Sequence, residues 1–452
     1  MKRITIIGGG ASGTLLAVNL LRRGSQGGPL TINLVESSRR LGRGVAFGAE
    51  SDSHLLNVPA EKMGAFPDDV GHFHRWLDSR GHEYGPHSFV PRRLFGDYLR
   101  SLFTESINGR AGSTDINMID DEAVRLTVGD DGSEVTLASG EVLLTDKVVL
   151  AFGNFPPPDP NVPDLSFTSA DTYFNDPWDP AMYDAIDADS SIFVIGTGLS
   201  MVDVAVHCRN SGQRGKLFAI STKGLLPERH KLGYTYPPFH DELQQVSRVT
   251  DLLKTVRRHA RLAQNDSSDW RAVIDSLRPV TQSIWLGLPV NEKRYFMQHL
   301  SRYWNVARHR MPPEAADIVD EMQSDGHLTI FKGRLRAIEY GGEGFKIMFH
   351  SQGVERTVDA RVLINCIGSE SNYHKIDSAL VRDLIANGYM QSDELTQGVN
   401  ATPDGRLIDR TGAASNVIFT LGTALKGILL ESTAIPEIRA QASELASTLL
   451  AD

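Results

Sequence analysis

The first 36 residues constrain the fold of this chain more than any other segment. A β-branched run, Arg3 to Ile7, leads into a glycine-rich turn of the form GxGxxG. A helical pattern follows, and then a second apolar run that ends at Glu36, an acid placed to accept hydrogen bonds from a ribose diol. A lone GxGxxG is common, but the order strand, turn, helix, strand and acid is that of a dinucleotide-binding βαβ unit. The chain is therefore predicted to be α/β and to open with a dinucleotide-binding module.

Each residue type in this turn has a physical reason. Gly8 would make the tight turn, Gly10 would let the backbone approach a pyrophosphate, and Gly13 would let the helix pack closely on the strand. The N–H groups at the start of the helix, around Ala11 and Ser12, together with the positive end of the helix dipole, would face the phosphates.

A second strand and glycine turn occur near residue 195. Gly196 and Gly198 occupy the first two glycine positions, and Met201 stands at the third, so this copy is weaker by itself. The partner strand ends in Ser221 and Lys223 instead of an acid. A hydroxyl and a lysine there could accept a 2′-phosphate, which favours NADPH over NADH, although an exposed loop charge is the plainer interpretation of Lys223.

Three further apolar strands end in a glycine, at Gly153, Gly368 and Gly422. Together with the two turns they predict two Rossmann-like modules, the second inserted in the first. Between them, charged and apolar residues alternate at helical spacing from about 240 to 323, which predicts a helical insertion. The expected domains are a first dinucleotide-binding module at 1–180 and 365–452, a second at 185–235 and 325–364, and the helical insertion at 236–324.

Composition removes several classes of function. The formal net charge of −10 argues against a nucleic-acid or anionic-membrane surface, and no apolar stretch approaches the roughly 18 residues that span a bilayer. The two cysteines, Cys208 and Cys366, exclude a disulfide framework, a thiolate zinc site and a CxxC pair. The histidines of HFH and RHR lack metal-ligand spacing, so no metal site is expected. A cytoplasmic protein without nucleic-acid or membrane partners is the prediction, with its oligomeric state open.

Longer segments add a resemblance to known proteins. The chain resembles the two-dinucleotide-binding-domain flavoproteins, and more closely the FAD–NAD(P)-binding family. It is similar, more loosely, to the N-hydroxylating flavin monooxygenases, with which it shares a Pro-Arg-x-x-Phe-x-x-Tyr-Leu run beginning at Pro91. The segments that carry the resemblance, besides both glycine turns, are Gly44 to Asp68, His72 to Leu77, Phe89 to Leu99, Ser221 to His230, Trp304 to Glu314 and Leu429 to Ala442.

The resemblance implies an FAD-dependent NAD(P)H oxidoreductase. It makes the module at 1–180 and 365–452 the FAD-binding domain and the module at 185–235 and 325–364 the NAD(P)H-binding domain. Its leading form is a monooxygenase that uses molecular oxygen to hydroxylate an amine or thioether of a small molecule through a C4a-hydroperoxyflavin. Two alternatives stay open: a reductase or dehydrogenase that inserts no oxygen, and a redox sensor that holds flavin without turnover. The missing CxxC argues against a disulfide reductase, because hydride would have no dithiol to reach.

The resemblance also suggests residues near the cofactors. Asn57, Met63 and Phe66 are expected to line the flavin, with core packing as the alternative for each. Arg92 is expected near a cofactor phosphate, with a surface charge as the alternative. Thr423 follows Gly422 where the commoner pattern has an acid, so the start of the next helix would take over its role. The full set expected at FAD or NADPH is Gly8, Gly10, Ala11, Ser12, Gly13, Glu36, Asn57, Arg92, Gly153, Gly196, Gly198, Leu199, Ser200, Ser221, Lys223, Gly368, Gly422, Ser432 and Thr433.

Overall fold

The structure is a computed structural model, and the fold below is that of the residues it describes. These are 2–24, 28–38, 41–48, 51–110, 112–129, 132–244, 246–265 and 268–451. The strands are β1 Lys2–Ile7, β2 Leu30–Val35, β3 Thr114–Ile119, β4 Ala123–Gly129, β5 Gly132–Leu137, β6 Val142–Thr145, β7 Lys147–Leu150, β8 Tyr173–Phe174, β9 Ile192–Ile195, β10 Leu217–Ser221, β11 Leu328–Tyr340, β12 Phe345–Ser351, β13 Val354–Ala360, β14 Val362–Asn365, β15 Arg406–Ile408 and β16 Ala414–Thr420.

The helices cover both sheet faces and form most of the insertion. They are α1 Ala11–Arg23, α2 His72–Ser79, α3 Arg92–Asn108, α4 Pro180–Ala185, α5 Leu199–Asn210, α6 Val249–Asn265, α7 Trp270–Ser276, α8 Thr281–Gly287, α9 Val290–His299, α10 Ser301–Arg308, α11 Pro313–Ser324, α12 Ala379–Ala386, α13 Lys426–Leu429 and α14 Ile435–Ala451. No helix in the described part of the chain is long and apolar enough to cross a membrane.

The first sheet has six strands in the order β15-β16-β7-β1-β2-β3. All neighbours are parallel except the antiparallel pair β15–β16. The last four residues of β1 are fully buried, because helices cover both faces of this central strand. One apolar cluster lies between the sheet and α1, α3 and α14, and a second lies on the opposite face beneath α12 and the small antiparallel sheet β4-β5-β6.

The second sheet has seven strands in the order β13-β12-β11-β10-β9-β14-β8. Strands β8 to β11 and β14 pair in parallel, and β11, β12 and β13 form an antiparallel meander at the edge. Because β15 and β16 return to the first sheet after β14, the second module is inserted in the first. The predicted α/β fold with two dinucleotide-binding modules is confirmed.

Two elements belong to a different module from the one that the expected domain ranges assign to them. Strand β8, within 1–180, pairs with β14 in the second sheet, since a two-residue strand leaves almost no sequence pattern. Helix α11, within 236–324, packs Ala315, Val319 and Met322 into the core of the second module. The helices that belong to the insertion itself are therefore α6 to α10, between residues 249 and 308.

Candidate functional site

The first glycine turn has little room for any side chain. Gly8 has φ +105°, and a Cβ there would lie 2.3 Å from the carbonyl oxygen of Ala151. A Cβ on Gly13 would lie 1.9 Å from the carbonyl oxygen of Gly8, so α1 can approach β1 this closely only through glycine. These contacts are those that the GxGxxG pattern requires at its first and third positions.

The middle glycine of the same turn faces open space. The nearest heavy atom to a Cβ on Gly10 would be the Cα of Gly44, at 3.7 Å. Gly10 is the N-cap of α1, so the first N–H groups of the helix, from Ala11 onward, lack partners within the helix. On the other side of the helix start, a Cβ on Gly422 would lie 2.7 Å from Oγ of Ser12. The residues thus form a glycine-lined, amide-rich cradle that fits a pyrophosphate.

Glu36 closes this cradle at the carboxyl end of β2. Its Oε2 accepts a hydrogen bond from the N–H of Gly9 at 2.6 Å, and its Oε1 accepts one from the N–H of Ser38 at 2.8 Å. Oε1 also accepts a hydrogen bond from Oγ of Ser38 at 2.5 Å. A carboxylate has about four acceptor positions, so about one is left for a ribose hydroxyl. The predicted ribose role of Glu36 stays a prediction.

The second turn repeats the steric pattern of the first. Gly196 has φ +120°, and a Cβ there would lie 2.3 Å from the carbonyl oxygen of Cys366, whereas nothing lies within 4 Å of a Cβ on Gly198. Met201 at the third position is fully buried in the core of the second module. Oγ of Ser221 accepts a hydrogen bond from the N–H of Gly224 at 2.9 Å, and Lys223 beside it is exposed.

A cavity of about 550 Å³ lies between the strand ends of the two modules, and we call it the cleft cavity. From the first module, Gly153 and Thr423 line it, both at the carboxyl ends of strands. From the second module come Gly368 and the start of α5 (Gly198, Leu199 and Ser200). The cleft between the carboxyl ends of parallel strands is where open α/β sheets bind nucleotides. Six of the predicted cofactor residues thus line this cavity, namely Gly153, Gly198, Leu199, Ser200, Gly368 and Thr433.

A second cavity of about 400 Å³ adjoins the first, and we call it the side cavity. Asn57, His230, Arg439 and the ion-paired residues described next line it, and His309 and Thr433 line both cavities. Of the flavin-lining candidates in the segment 54–68, Asn57 is therefore the one that lines either of these two cavities. Its carbonyl oxygen lies 2.9 Å from Nε2 of His230.

Two bidentate ion pairs form part of the side-cavity wall. Arg308 donates to both oxygens of Glu431, at 2.9 and 3.1 Å, and Arg278 donates to both oxygens of Glu437, at 2.7 and 2.9 Å. Arg439 instead donates to the backbone carbonyls of Lys62 and Gly64. Glu431 and Glu437 are thus each neutralised by an arginine, whereas among the described residues the guanidinium of Arg439 contacts carbonyl oxygens and no carboxylate.

Two histidines on these walls are held neutral. Burial, followed by the charges of Arg308 and Lys426, lowers the pKa of His309 to about 4. Burial and the charge of Arg310 lower the pKa of His230 to about 4. At neutral pH each imidazole is uncharged, so each ring has one N–H donor and one nitrogen acceptor. Lys426, in the cleft cavity, also has its pKa lowered by burial, with Asp393 opposing the shift.

Three predicted site residues lie away from both cavities. Met63 and Phe66 pack in the core of the first module, where the guanidinium of Arg22 lies 4.0 Å from the Phe66 ring centre. Arg92, expected near a phosphate, forms a buried ion pair with Asp203 of α5 and donates to the carbonyl of Leu55. The segment 54–68 runs beneath α3, so its apolar side chains pack against that helix. The sequence pattern did not reveal this packing.

The polar residue expected beside the flavin, Ser432, is fully buried. Within the described residues its Oγ has no hydrogen-bond partner. A buried hydroxyl without a partner is uncommon in folded proteins and fits a site where a bound group completes the hydrogen bonding. The residues of both modules therefore fit FAD and a nicotinamide dinucleotide.

No pattern in the sequence marks His230, His309 or Lys426 as a site residue. His309 lies in the RHR triplet, which lacks metal-ligand spacing, and His230 is the last residue of a segment that carries the resemblance. No spacing rule links residues 57, 230, 309 and 431, which come together only through tertiary packing. The described residues hold no group of three or more His, Cys, Asp or Glu side chains placed to bind a metal ion.

Both cysteines are buried, and burial disfavours the reactive thiolate form of each. Burial raises the pKa of Cys208 to about 12, and burial with the charge of Asp203 raises the pKa of Cys366 well above its ordinary value. Cys366 lines the cleft cavity, but its thiolate, the reactive form, is disfavoured there.

Comparison with known proteins agrees with this architecture. Residues 5–155 match the family described as FAD-NAD(P)-binding. No curated protein sequence matches the chain. Among solved structures, the ornithine hydroxylase of Pseudomonas aeruginosa is similar with a TM-score of 0.67 at 14% identity, covering 100% of this chain and 98% of that one.

Two further structures extend the comparison. The ornithine N-hydroxylase of Kutzneria sp. 744 has a TM-score of 0.64 at 14% identity and covers 99% and 98% of the two chains. The bacillithiol disulfide reductase of Bacillus cereus has a TM-score of 0.56 at 14% identity and covers 100% and 99%. At such identities the likeness concerns the fold. Residues 5–155 thus match the FAD-NAD(P)-binding family, within a chain that has the fold of the two-dinucleotide-binding-domain flavoproteins along its whole length.

Proposed function

We propose that the protein is an FAD-dependent NAD(P)H oxidoreductase that hydroxylates an amine or thioether of a small molecule. In the balanced reaction, substrate, O₂, NAD(P)H and a proton give the N-hydroxylated amine or the sulfoxide, NAD(P)⁺ and water. The observation that carries the proposal is the adjoining pair of cavities: the cleft cavity between the two modules shares His309 and Thr433 with the side cavity, whose walls carry polar side chains. The whole-length fold likeness to ornithine hydroxylases supports the same class.

The two cofactors would be held by different modules. The cradle at Gly10 and Ala11 would hold the FAD pyrophosphate, Glu36 its ribose, and Ser432 the flavin end. The start of α5, Gly198 to Ser200, would hold the NAD(P)H phosphates, with Lys223 at the 2′-phosphate. When bound, FAD accepts hydride from NAD(P)H and supplies the reducing electrons to oxygen.

The side cavity would hold the substrate. An amine can be oxidised at nitrogen only as the free base, because the ammonium form has no lone pair. A neutral imidazole at the junction, His309, can accept a hydrogen bond from the substrate N–H and so hold the free amine with its lone pair available. The unpaired cation of Arg439 would orient an acidic or polar end of the substrate at the far wall.

Reduction of a disulfide is disfavoured by the chain's own thiols. Cys366 is the cysteine that lines the cleft cavity, and its raised pKa keeps it protonated at neutral pH. A thiol in that state is a poor nucleophile toward a disulfide. The alternative is a reductase that passes electrons to another acceptor. The following experiment distinguishes it from a monooxygenase.

The test measures coupling in the purified, FAD-loaded protein. NADPH and NADH oxidation, O₂ uptake and peroxide release are recorded with a panel of amines and thioethers, and products are sought by mass spectrometry. The proposal expects one substrate to raise NAD(P)H oxidation, lower the peroxide yield and gain one oxygen atom. Full recovery of the consumed NAD(P)H as peroxide with every substrate, or rapid oxidation of NAD(P)H by quinones or dyes under anaerobic conditions alone, would instead assign a reductase.

A further inference from the structure

The helical insertion contains a large apolar cavity that the proposed function does not use. Its volume is about 590 Å³, and side chains of α6 to α10 line it, together with Leu430. We call it the helical cavity. Its size is within the range of small-molecule sites, and its wall is almost entirely aliphatic or aromatic.

The cavity is located where the insertion would otherwise have its core. The buried apolar residues of the insertion form two separate clusters, one around Ile274 and Leu277 and the other around Val249 and Trp285. All four of these residues line the cavity. Folded domains of this size normally close such clusters into one packed core, because a gap leaves apolar side chains without contacts.

The side chains between the clusters are only partly covered. Leu252, Val256, Phe296 and Trp304 line the cavity and are packed against the clusters, yet keep part of their surface accessible. A continuous apolar surface of this kind in a water-exposed chamber is unfavourable unless something covers it. The occupant must therefore be mainly apolar.

One charged residue lines this cavity. Arg257 of α6 is exposed, and within the described residues it has no carboxylate partner. Arg261, one turn further along α6, is also exposed and has none among the same residues. Arg258 between them, in contrast, pairs with Glu242. A free guanidinium beside an apolar chamber matches a molecule with an apolar body and one anionic end.

We propose that the helical cavity is a binding site for an anionic amphiphile, of the class of medium- to long-chain carboxylates, whose chain fills the apolar chamber and whose carboxylate pairs with Arg257. This inference does not rest on the proposed function. The site is separate from the cleft and side cavities, and occupancy can be measured without turnover.

The chain offers an intrinsic reporter for this site. Three of its five tryptophans, Trp270, Trp285 and Trp304, line the cavity. A bromine atom quenches tryptophan fluorescence on contact, so 12-bromododecanoate added to the FAD-loaded full chain, below its micellar concentration, reports occupancy directly. We expect saturable quenching with one site per chain, and competition by dodecanoate. Affinity should rise about four-fold per added CH₂ from octanoate to dodecanoate, until the cavity is full.

Matched variants separate this site from general surfactant binding. Arg257→Gln should weaken dodecanoate at least ten-fold, whereas Arg336→Gln, an exposed arginine on β11, should leave it unchanged. Ala260→Phe places a large side chain in the cavity and should abolish saturable quenching. Leu262→Phe is the matched control, because Leu262 lies on the same helix but is 44% exposed, and it should keep the quenching. Circular dichroism and the unfolding midpoint check that each variant is folded.

Three results would overturn the proposal. One is quenching that is absent, or equal in Ala260→Phe and Leu262→Phe. Another is equal binding of dodecyltrimethylammonium and dodecanoate, which would remove the anionic class. The third is a protein that binds no amphiphile, is a dimer by light scattering and becomes monomeric when Ala260→Phe is introduced. That result would make a second copy of the chain the occupant of the cavity.

Discussion

Arg92 of α3 and Asp203 of α5 join the two nucleotide modules through a buried ion pair, with 2.8 Å between Nη1 and Oδ2. The side chains are 14% and 10% exposed. Burial raises the pKa of Asp203, and the nearby guanidinium opposes that shift, so the carboxylate depends on Arg92 to remain charged. The pair ties α3 of the first module to α5 of the second, the helix whose start lines the cleft cavity.

Removing one member of this pair should be costly. Arg92→Ala should lower the free energy of unfolding by about 3 kcal/mol, because it leaves a buried carboxylate uncompensated. Arg93→Ala, which removes the neighbouring exposed pair with Asp52, should cost less than about 1 kcal/mol in the same denaturant titration. The double variant Arg92→Met/Asp203→Leu should recover most of the loss and keep FAD. Loss of FAD in a stable double variant would show that Arg92 serves the cofactor as first predicted.

The first glycine turn should tolerate bulk at Gly10 only in the absence of FAD. Gly10→Val should abolish retention of the yellow cofactor, because its side chain would occupy the space that faces the cradle. Gly10→Ala should fold normally, since its Cβ would meet nothing nearer than 3.7 Å in the protein, yet bind FAD more weakly. Absorbance at the flavin bands after gel filtration measures both. Gly341→Val, at an open position between β11 and β12, is the control, and an intact yellow Gly10→Val protein would contradict the assignment.

Nicotinamide preference should depend on Lys223. Lys223→Ala should raise the KM for NADPH about ten-fold and leave the KM for NADH unchanged, because a single cation contacts only the 2′-phosphate. Steady-state oxidation of the two dinucleotides measures the split. Lys346→Ala, an exposed lysine on β12, controls for net charge. An equal change for both dinucleotides would place the 2′-phosphate elsewhere.

His309 should affect coupling more than cofactor reduction. His309→Phe removes the hydrogen-bonding nitrogens at the junction of the two cavities but keeps a planar ring. We expect hydroxylated product to fall at least ten-fold, with peroxide rising to replace it, while the rate of anaerobic reduction by NADPH stays within about two-fold. A parallel fall in reduction and product would show that His309 shapes the nicotinamide site instead.

Stability should decrease on mild acidification. Burial lowers the pKa of His54 to about 3, and those of His230 and His309 to about 4, from about 6.5 in an unfolded chain. Between about pH 6.5 and 4 the unfolded state therefore binds more protons than the folded state. The stability is fully present above pH 6.5 and falls as the pH drops, by up to about 1.4 kcal/mol per pH unit for each histidine.

Denaturant titrations from pH 7 to pH 5 test this dependence. Replacing the buried His54 with Asn should lower the slope of stability against pH by up to one proton. His374→Asn, on an exposed histidine, should keep the wild-type slope. A slope unchanged in His54→Asn would mean that another group titrates in this window.

The parts of the site that sequence could predict are those governed by local sterics. Gly8, Gly13 and Gly196 stand where a Cβ would strike a backbone carbonyl, and such requirements leave a readable pattern over a few residues. Thr433 was predicted near the flavin, and it lines both cavities. Met63 could not be placed in this way, because a methionine that packs in a core and one that contacts a ligand occur in the same apolar sequence patterns.

The side and helical cavities could not be predicted in this way. Asn57, His230 and Glu431 come from three distant segments, and their meeting depends on how the modules dock. The helical pattern from 240 to 323 did predict helices, but periodicity only shows which face of a helix is apolar. It cannot show that the buried clusters around Ile274 and Trp285 are linked by a partly covered side chain, Leu252, instead of forming one buried core.

The position of β16 has a consequence for synthesis of the protein. In the finished sheet β7 lies between β1 and β16, but β7 ends at Leu150 and β16 begins only at Ala414. During translation the whole second module and the helical insertion emerge while one side of β7 has no partner strand. A bare strand edge invites pairing with other chains, so the nascent protein passes through a long interval of exposure to aggregation. Ribosome-bound chains that stop before 414 should accordingly need chaperone protection that chains extended past β16 do not.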